Sequence, residues 1–297
     1  MNIIAIKTKK PFGLTICLLL TLSIFTGVGK SYAITWQEMK GEHFILYYSL
    51  DKDKDIAKEI LDRAEVYYRK IALELGYPRY SEFWTWDKRV KIYIYPDRSS
   101  FLKATDQPSW SHGMADYKAK EIASFIGSED FLESILPHEM AHLIFRDFVG
   151  FEGEVPLWLD EGVAQWSEER KRQEMKAMIG NLYRTDSLLS LEDLMKLDIR
   201  LIRTDKGVYL RRIHTSKDAD GVLLVSGEQL IKTYYLQAVS VVGFLIEKYG
   251  SDSFATFCRQ LRDGKSLEDA LKFAYSSHLG SLKELEERWR DYLSKGE

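Results

Sequence analysis

The sequence predicts an α+β fold, a small mixed sheet followed by a mainly helical C-terminal half. Three observations carry that prediction. Short runs of period-two hydrophobicity flank one long helical run between residues 35 and 126, helical periodicity dominates from Ser128 onward, and Gly or Pro punctuates most of the boundaries.

Taken in order, the first 33 residues stand apart. Lys7, Lys9 and Lys10 precede an apolar run from Pro11 to Val28, and the stretch closes on Ser31-Tyr32-Ala33. A basic region, a short apolar region and a small-x-small site make a secretory signal peptide, with cleavage expected after Ala33. An uncleaved anchor fits less well. The run falls short of the roughly 20 apolar residues of a spanning helix, and Gly13, Thr15, Thr21 and Gly27 interrupt it. The expected location is therefore periplasmic or extracellular, with no stable membrane insertion after cleavage. Removing residues 1–33 takes away four of 42 basic residues and none of the 45 acids, leaving 264 residues with a formal charge of −7. That mild acidity argues against nucleic acid or an anionic membrane as a partner. Cys17 leaves with the signal, so Cys258 has no disulfide partner and reads as a small buried apolar residue.

The next segment, from Thr35 to about Tyr48, reads as extended, with Phe44, Leu46 and Tyr48 alternating. Asp51 to Leu75 reads as an amphipathic helix whose apolar stripe is Ile56, Ile60, Ala64, Tyr67, Ile71 and Leu75; Gly76 stops it and Pro78 follows. Val90, Ile92 and Ile94 alternate as a strand closed by Pro96, a short helix begins near Ser99, and Gly113 to Ile126 forms a strand or a hairpin. Ser128 is placed to cap a helix with Glu129 and Asp130 in its first turn, and Pro137 either kinks that helix or starts a new one. A further helix starts at Pro156 and runs to about Lys176. Residues 180–230 are polar and irregular, with a short helix over Ser190 to Lys196 and a hairpin around Asp218 to Gly221. The tail from Glu228 to Lys295 is mostly helical, broken at Gly250, Gly264 and Gly280. After the signal, residues 34–180 are expected to hold the sheet and central helices and 181–297 a mainly helical subdomain.

The chemically informative run is His138-Glu139-Met140-Ala141-His142. Histidines four apart on a helix share one face about a turn apart, so both imidazoles can reach one ion. Glu139 follows the first of them and can lean over the metal without binding it, where a base for the metal's water belongs. Alone, this motif also describes an exposed helix with two solvated histidines. Pro156-Leu157-Trp158-Leu159-Asp160-Glu161-Gly162 strengthens the metal reading. Glu161 lies 19 residues past His142, within reach of a chain that turns back, in a run too apolar to bury an unpaired acid cheaply. Two histidines and one glutamate are a known catalytic zinc set that leaves a position for water. The competing reading makes Asp160 and Glu161 first-turn acids that favour the helix dipole.

These motifs resemble the gluzincin metallopeptidases, in the form shared by aminopeptidase-N-type enzymes and the smaller bacterial peptidase MA-like proteins. The likeness extends to His43-Phe44-x-Leu46-Tyr47-Tyr48, to Tyr234-Tyr235-x-Gln237-Ala238 and to Leu285-Glu286-x-x-Trp289. It implies a thermolysin-like zincin core, one zinc ion, His138, His142 and Glu161 as its ligands, and Glu139 as base. It also implies a tyrosine opposite the metal that donates to the developing oxyanion. Tyr235, five residues before Ser240, matches that tyrosine; the alternative is that Tyr235 is a core aromatic and that Tyr234 or no residue supplies the donor. The glutamate by which aminopeptidases grip a free amine has only a poor counterpart in Asp116, in Gly113-Met114-Ala115-Asp116-Tyr117. The expected partner is a peptide or protein substrate, and the expected activity is zinc-dependent hydrolysis of peptide bonds. A non-catalytic binding or assembly module that retains the fold and a zinc hydrolase of a non-peptide bond are the alternatives. His43, His112, His214 and His278 have no ligand spacing and read as surface or satisfied histidines. Lys206, Arg211, Arg212 and Lys217 read as a solvated loop or a lid.

Overall fold

In the computed structural model, the residues described are 34–77, 83–109, 111–150, 155–204, 208–214, 220–276 and 278–296. The predicted signal peptide, Lys206 and Lys217 lie outside them. The architecture is α+β, as the sequence predicts: a five-stranded mixed sheet followed by a mostly helical C-terminal half.

The sheet comprises β1 (Gln37–Lys40), β2 (Phe44–Tyr48), β3 (Val90–Tyr95), β4 (Met114–Asp116) and β5 (Glu121–Phe125), in the order β1-β2-β3-β5-β4. Strands β2, β3 and β5 run parallel, while the two edge strands β1 and β4 are antiparallel to their neighbours. The predicted alternation is realised. Phe44, Leu46, Tyr48, Val90, Ile92, Ile94 and Ile122 are buried on the face that meets the helices. On the other face Tyr47 stacks on Tyr93 at 4.8 Å, and α2 (Arg98–Thr105) covers Ala123 and Phe125 with Phe101. Asp97 caps that helix, its side chain accepting from Ser100 N at 2.8 Å.

Helix α1 (Lys54–Glu74) follows a single 3₁₀ turn and ends at Gly76, whose φ of +79° needs a residue without a Cβ. Its buried face is turned by about one residue from the predicted stripe. Ala57, Leu61, Tyr68 and Ala72 join Ile60, Ala64 and Ile71 in the core, while Ile56 is 43% exposed. The cause is that α1 packs on β2 and on α3 (Leu136–Val149) at once, so its apolar stripe is broader than one row. His43, at the start of β2, is also buried. Its backbone N–H and ring Nδ1 both bond Glu65 of α1, at 2.9 and 2.7 Å, and its ring lies 4.2 Å from that of Tyr68.

Helix α3 is the axis of the molecule, with ten of its fourteen residues buried. Ser128 does not cap it. The Ser128 hydroxyl bonds the carbonyl of His112, and Asp130 enters the left-handed region at φ 57° to open a π-helical turn, Phe131–Ile135, that runs into α3. Pro137 therefore sits in the first turn of α3, where the π-helical turn gives way to the α-helix.

The helix predicted from Pro156 to Lys176 is two helices, α4 (Leu157–Ser167) and α5 (Arg172–Arg184), broken at Glu168 with φ −79° and ψ 67°. Next come α6 (Leu191–Lys196), capped by Ser190, and the hairpin of β6 (Val208–His214) and β7 (Asp220–Ser226). The C-terminal helices are α7 (Gly227–Tyr249), α8 (Ser251–Arg262), α9 (Leu267–Ala274) and α10 (Leu282–Lys295), interrupted near the predicted glycines. Helix α7 is long and apolar enough to cross a membrane by length and composition, yet 67% of its apolar window is buried inside the protein, as in a core helix. It packs backbone-close against α4 at Gly162, where a Cβ would meet the Ala238 carbonyl oxygen at 2.7 Å. One hydrophobic cluster runs from Phe44 to Tyr292 and includes Cys258.

Candidate metal centre

Helix α3 carries His138 and His142 on one face, and α4 lies beside it with Glu161 facing them. One donor atom from each of the three residues lies within 4.8 Å of the others. The chain returns from α3 to α4 through the left-handed Gly150, and α4 starts after Pro156.

Both histidines are anchored by buried acids. His138 Nδ1 is 2.9 Å from Glu168 Oε1, and His142 Nδ1 is 2.9 Å from Asp160 Oδ1. Burial would push the Glu168 carboxyl up. The hydrogen bond and charge of His138, with Lys171 and Ser134, reverse that and bring it down to about 2. Asp160 follows the same pattern: burial raises it, and His142 and Arg146 hold it below its usual value. Ionised carboxylates can only accept, so each Nδ1 carries a proton and each Nε2 is the ring nitrogen left to face a metal.

The rest of the site fits a cation. Burial, opposed by the two histidines, raises the Glu161 carboxyl above its ordinary range. Burial disfavours the charged form of His142, yet Asp160, Glu161 and Glu139 raise its pKa to about 9. His142 thus holds a proton that a divalent ion would displace. Two imidazoles and a carboxylate suit zinc.

Glu139, His138, His112 and Lys171 line a cleft of about 460 Å³ beside this centre. His112, which has no ligand spacing in the sequence, has its backbone carbonyl bonded by Ser124 and Ser128 and its Nδ1 buried without a partner among the described residues. Lys171 also borders a second cleft of about 480 Å³ that contains Tyr235. Tyr235 stands two turns into α7 rather than at its start, partly buried. Burial, then the charges of Glu161 and Glu139, keep its phenol protonated far above the ordinary range. Tyr234 is fully buried, and its hydroxyl has no partner among the described residues. Ser240, which marks the tyrosine in the family pattern, accepts from Trp289 Nε1 at 3.0 Å and so ties α10 to α7. Asp116 is exposed, and its Oδ1 accepts from the N–H groups of Lys118 and Ala119 at 2.9 Å each. These bonds place it in the β4–β5 turn.

Sequence reasoning missed several groups. Asp160 reads there as a first-turn acid but is a buried partner of His142. Glu168 was hidden inside a continuous helix. Arg146 stands four residues after His142 and so on the same face of α3, a spacing that could have pointed to it. Tyr117 drew no notice beyond its place beside Asp116.

The sequence matches no protein-family model and no curated protein. Among solved structures, native yeast LTA4 hydrolase is similar with a TM-score of 0.42 at 13% identity, over 86% of this chain and 38% of that one. The chain thus spans well under half the length of that protein.

Proposed function

We propose that this chain is an exported zinc metallopeptidase that cleaves internal peptide bonds. In this reading His138, His142 and Glu161 hold the metal, Glu139 is the base, and Tyr235 is the second donor to the carbonyl oxygen. The observation that carries it is the pairing of both histidines through Nδ1 with buried carboxylates, which leaves two Nε2 atoms beside a desolvated Glu161. The gluzincin-like spacing of the motifs supports it, and the N-terminal signal pattern supports export.

A bound zinc would supply Lewis acidity, polarising the scissile carbonyl and lowering the pKa of water towards about 7. Glu139, on the cleft wall, would take the proton from the attacking water and return it to the leaving amine. Tyr235 would donate its hydroxyl hydrogen to the oxygen as charge develops there, a role its raised pKa suits because the phenol stays protonated. Among the described strands β4 pairs with β5 alone, and its other edge would take an extended peptide by strand addition. Because the Asp116 Oδ1 is committed to a turn, the edge strand offers no evident grip on a free amine, which favours internal bonds.

The test is metal analysis together with peptide-library cleavage. The purified protein should hold about one zinc per chain, and His138→Ala or Glu161→Ala should lose it. Glu139→Gln should keep the metal and lose turnover by at least about a hundredfold. A wild type that takes up no zinc after reconstitution would end the proposal. A zinc-loaded wild type that cleaves no peptide would favour an assembly role or a non-peptide substrate.

A further inference from the structure

We propose that Arg146 is a positioning residue for the metal site, acting through Asp160 on His142. Tyr117 caps it, so that the β4–β5 hairpin and α3 are held as one unit. The inference rests on the metal reading above and adds to it two residues that neither touch the metal nor belong to the ligand motif.

The placement starts from helix geometry. His138, His142 and Arg146 are spaced by four along α3 and so share a face. Asp160, with its side chain 4% exposed, gives one oxygen to each neighbour: Oδ1 to His142 at 2.9 Å and Oδ2 to an Arg146 terminal nitrogen at 2.6 Å. An imidazole that ligates a metal through Nε2 is neutral. Arg146 would then be the cation in direct contact with this buried carboxylate. Removing it would leave Asp160 a buried carboxylate without that partner, free to turn away from His142. A guanidinium suits the place because its planar fork can bond a carboxylate while its face stacks on a ring.

That ring is Tyr117. Its centroid lies 4.2 Å from Arg146 Cζ, and it meets the His142 ring edge-on at 6.0 Å. Tyr117 directly follows β4, an edge strand of the sheet. The next residue of α3 fastens the far side of the same turn, because Asp147 accepts from Lys120 Nζ at 2.6 Å and from Trp84 Nε1 at 2.7 Å. With Asp116 closing the turn internally, the hairpin is pinned to two consecutive residues of the metal-binding helix. A peptide laid along β4 would therefore bear on the group that orients His142.

The experiment measures zinc affinity by chelator competition and amide exchange over Met114–Phe125, with Asp160→Asn as the benchmark. Arg146→Met should weaken zinc binding about 10- to 100-fold, the usual effect of losing a ligand's hydrogen-bonding support, and Arg146→Lys should recover part of it. Tyr117→Leu should weaken zinc a few-fold and speed exchange in the hairpin, while Tyr117→Phe keeps the ring and recovers most of both. Turnover of Arg146→Met saturated with zinc should fall in kcat with KM little changed. If Asp160→Asn loses zinc but Arg146→Met binds it within twofold of wild type, the inference is overturned and the ligand set stands. If Arg146→Met does not fold, wild-type zinc affinity in both Arg146→Lys and Tyr117→Leu overturns it equally. A wild type without zinc affinity would overturn the metal reading itself, and this inference with it.

Discussion

Glu168→Gln isolates the anchoring of a ligand from ligation itself. Glu168 is buried, bonds His138 Nδ1 at 2.9 Å and Lys171 Nζ at 2.8 Å, and accepts from the Ser134 hydroxyl. Its carboxyl falls from 4.5 to about 2 on folding. A folded pKa below the unfolded one means that the stabilisation is fully present above about 4.5 and is lost as pH falls through the folded value. The size follows from about 1.4 kcal/mol per pH unit, giving roughly 3 kcal/mol at neutral pH. Glutamine is nearly isosteric with a protonated glutamate, which fixes the comparison. Wild type and Glu168→Gln, both metal-free, should differ by about 3 kcal/mol in urea unfolding at pH 6. The gap should close as pH drops from 4.5 towards 2, while the many other carboxylates cancel between the two proteins. The amide must also turn an N–H towards one of three donors, so His138 should lose orientation and zinc affinity should fall about 10- to 100-fold. A constant gap across this pH range, together with unchanged zinc affinity, would refute the reasoning.

Two further outcomes test the site's frame. Tyr235→Phe removes one hydroxyl and little packing, so kcat should fall roughly 10²- to 10³-fold with a modest change in KM; steady-state kinetics showing near-normal kcat would remove Tyr235 from the mechanism. Gly162→Ala would press a methyl to 2.7 Å from the Ala238 carbonyl oxygen and from Val242 Cγ2. Forcing α4 off α7 in this way should cost about 1–3 kcal/mol in a denaturant melt and lower zinc occupancy, because Glu161 is the adjacent residue.

The parts of this fold that were legible in the sequence are those in which one local signal decides one local structure. Phe44-Leu46-Tyr48 and Val90-Ile92-Ile94 alternate because one face of the sheet is buried, and they form strands. Gly76 takes a positive φ and stops α1, and Ser190 caps α6. His138, His142 and Glu161 come together because four residues make about one helical turn and the following connection lets α4 return beside α3. What stayed hidden depends on tertiary partners. The residues from Pro156 to Lys176 satisfy helical periodicity throughout, and no local signal shows that the helix breaks at Glu168. That break aims a buried carboxylate at His138. Asp160 and Glu161 are adjacent acids with similar local prospects. A rotation of about 100° along the helix sends one to His142 Nδ1 and Arg146, and the other to the candidate metal group with His138 and His142. The hidden residues share a physical character: each is a charged or aromatic side chain with a partner distant in sequence, Glu168 facing His138, Asp160 facing His142 and Arg146, and Tyr117 facing Arg146. Sequence spacing therefore finds the groups that could bind a metal, and the buried acids behind them decide which imidazole nitrogen is free to do so.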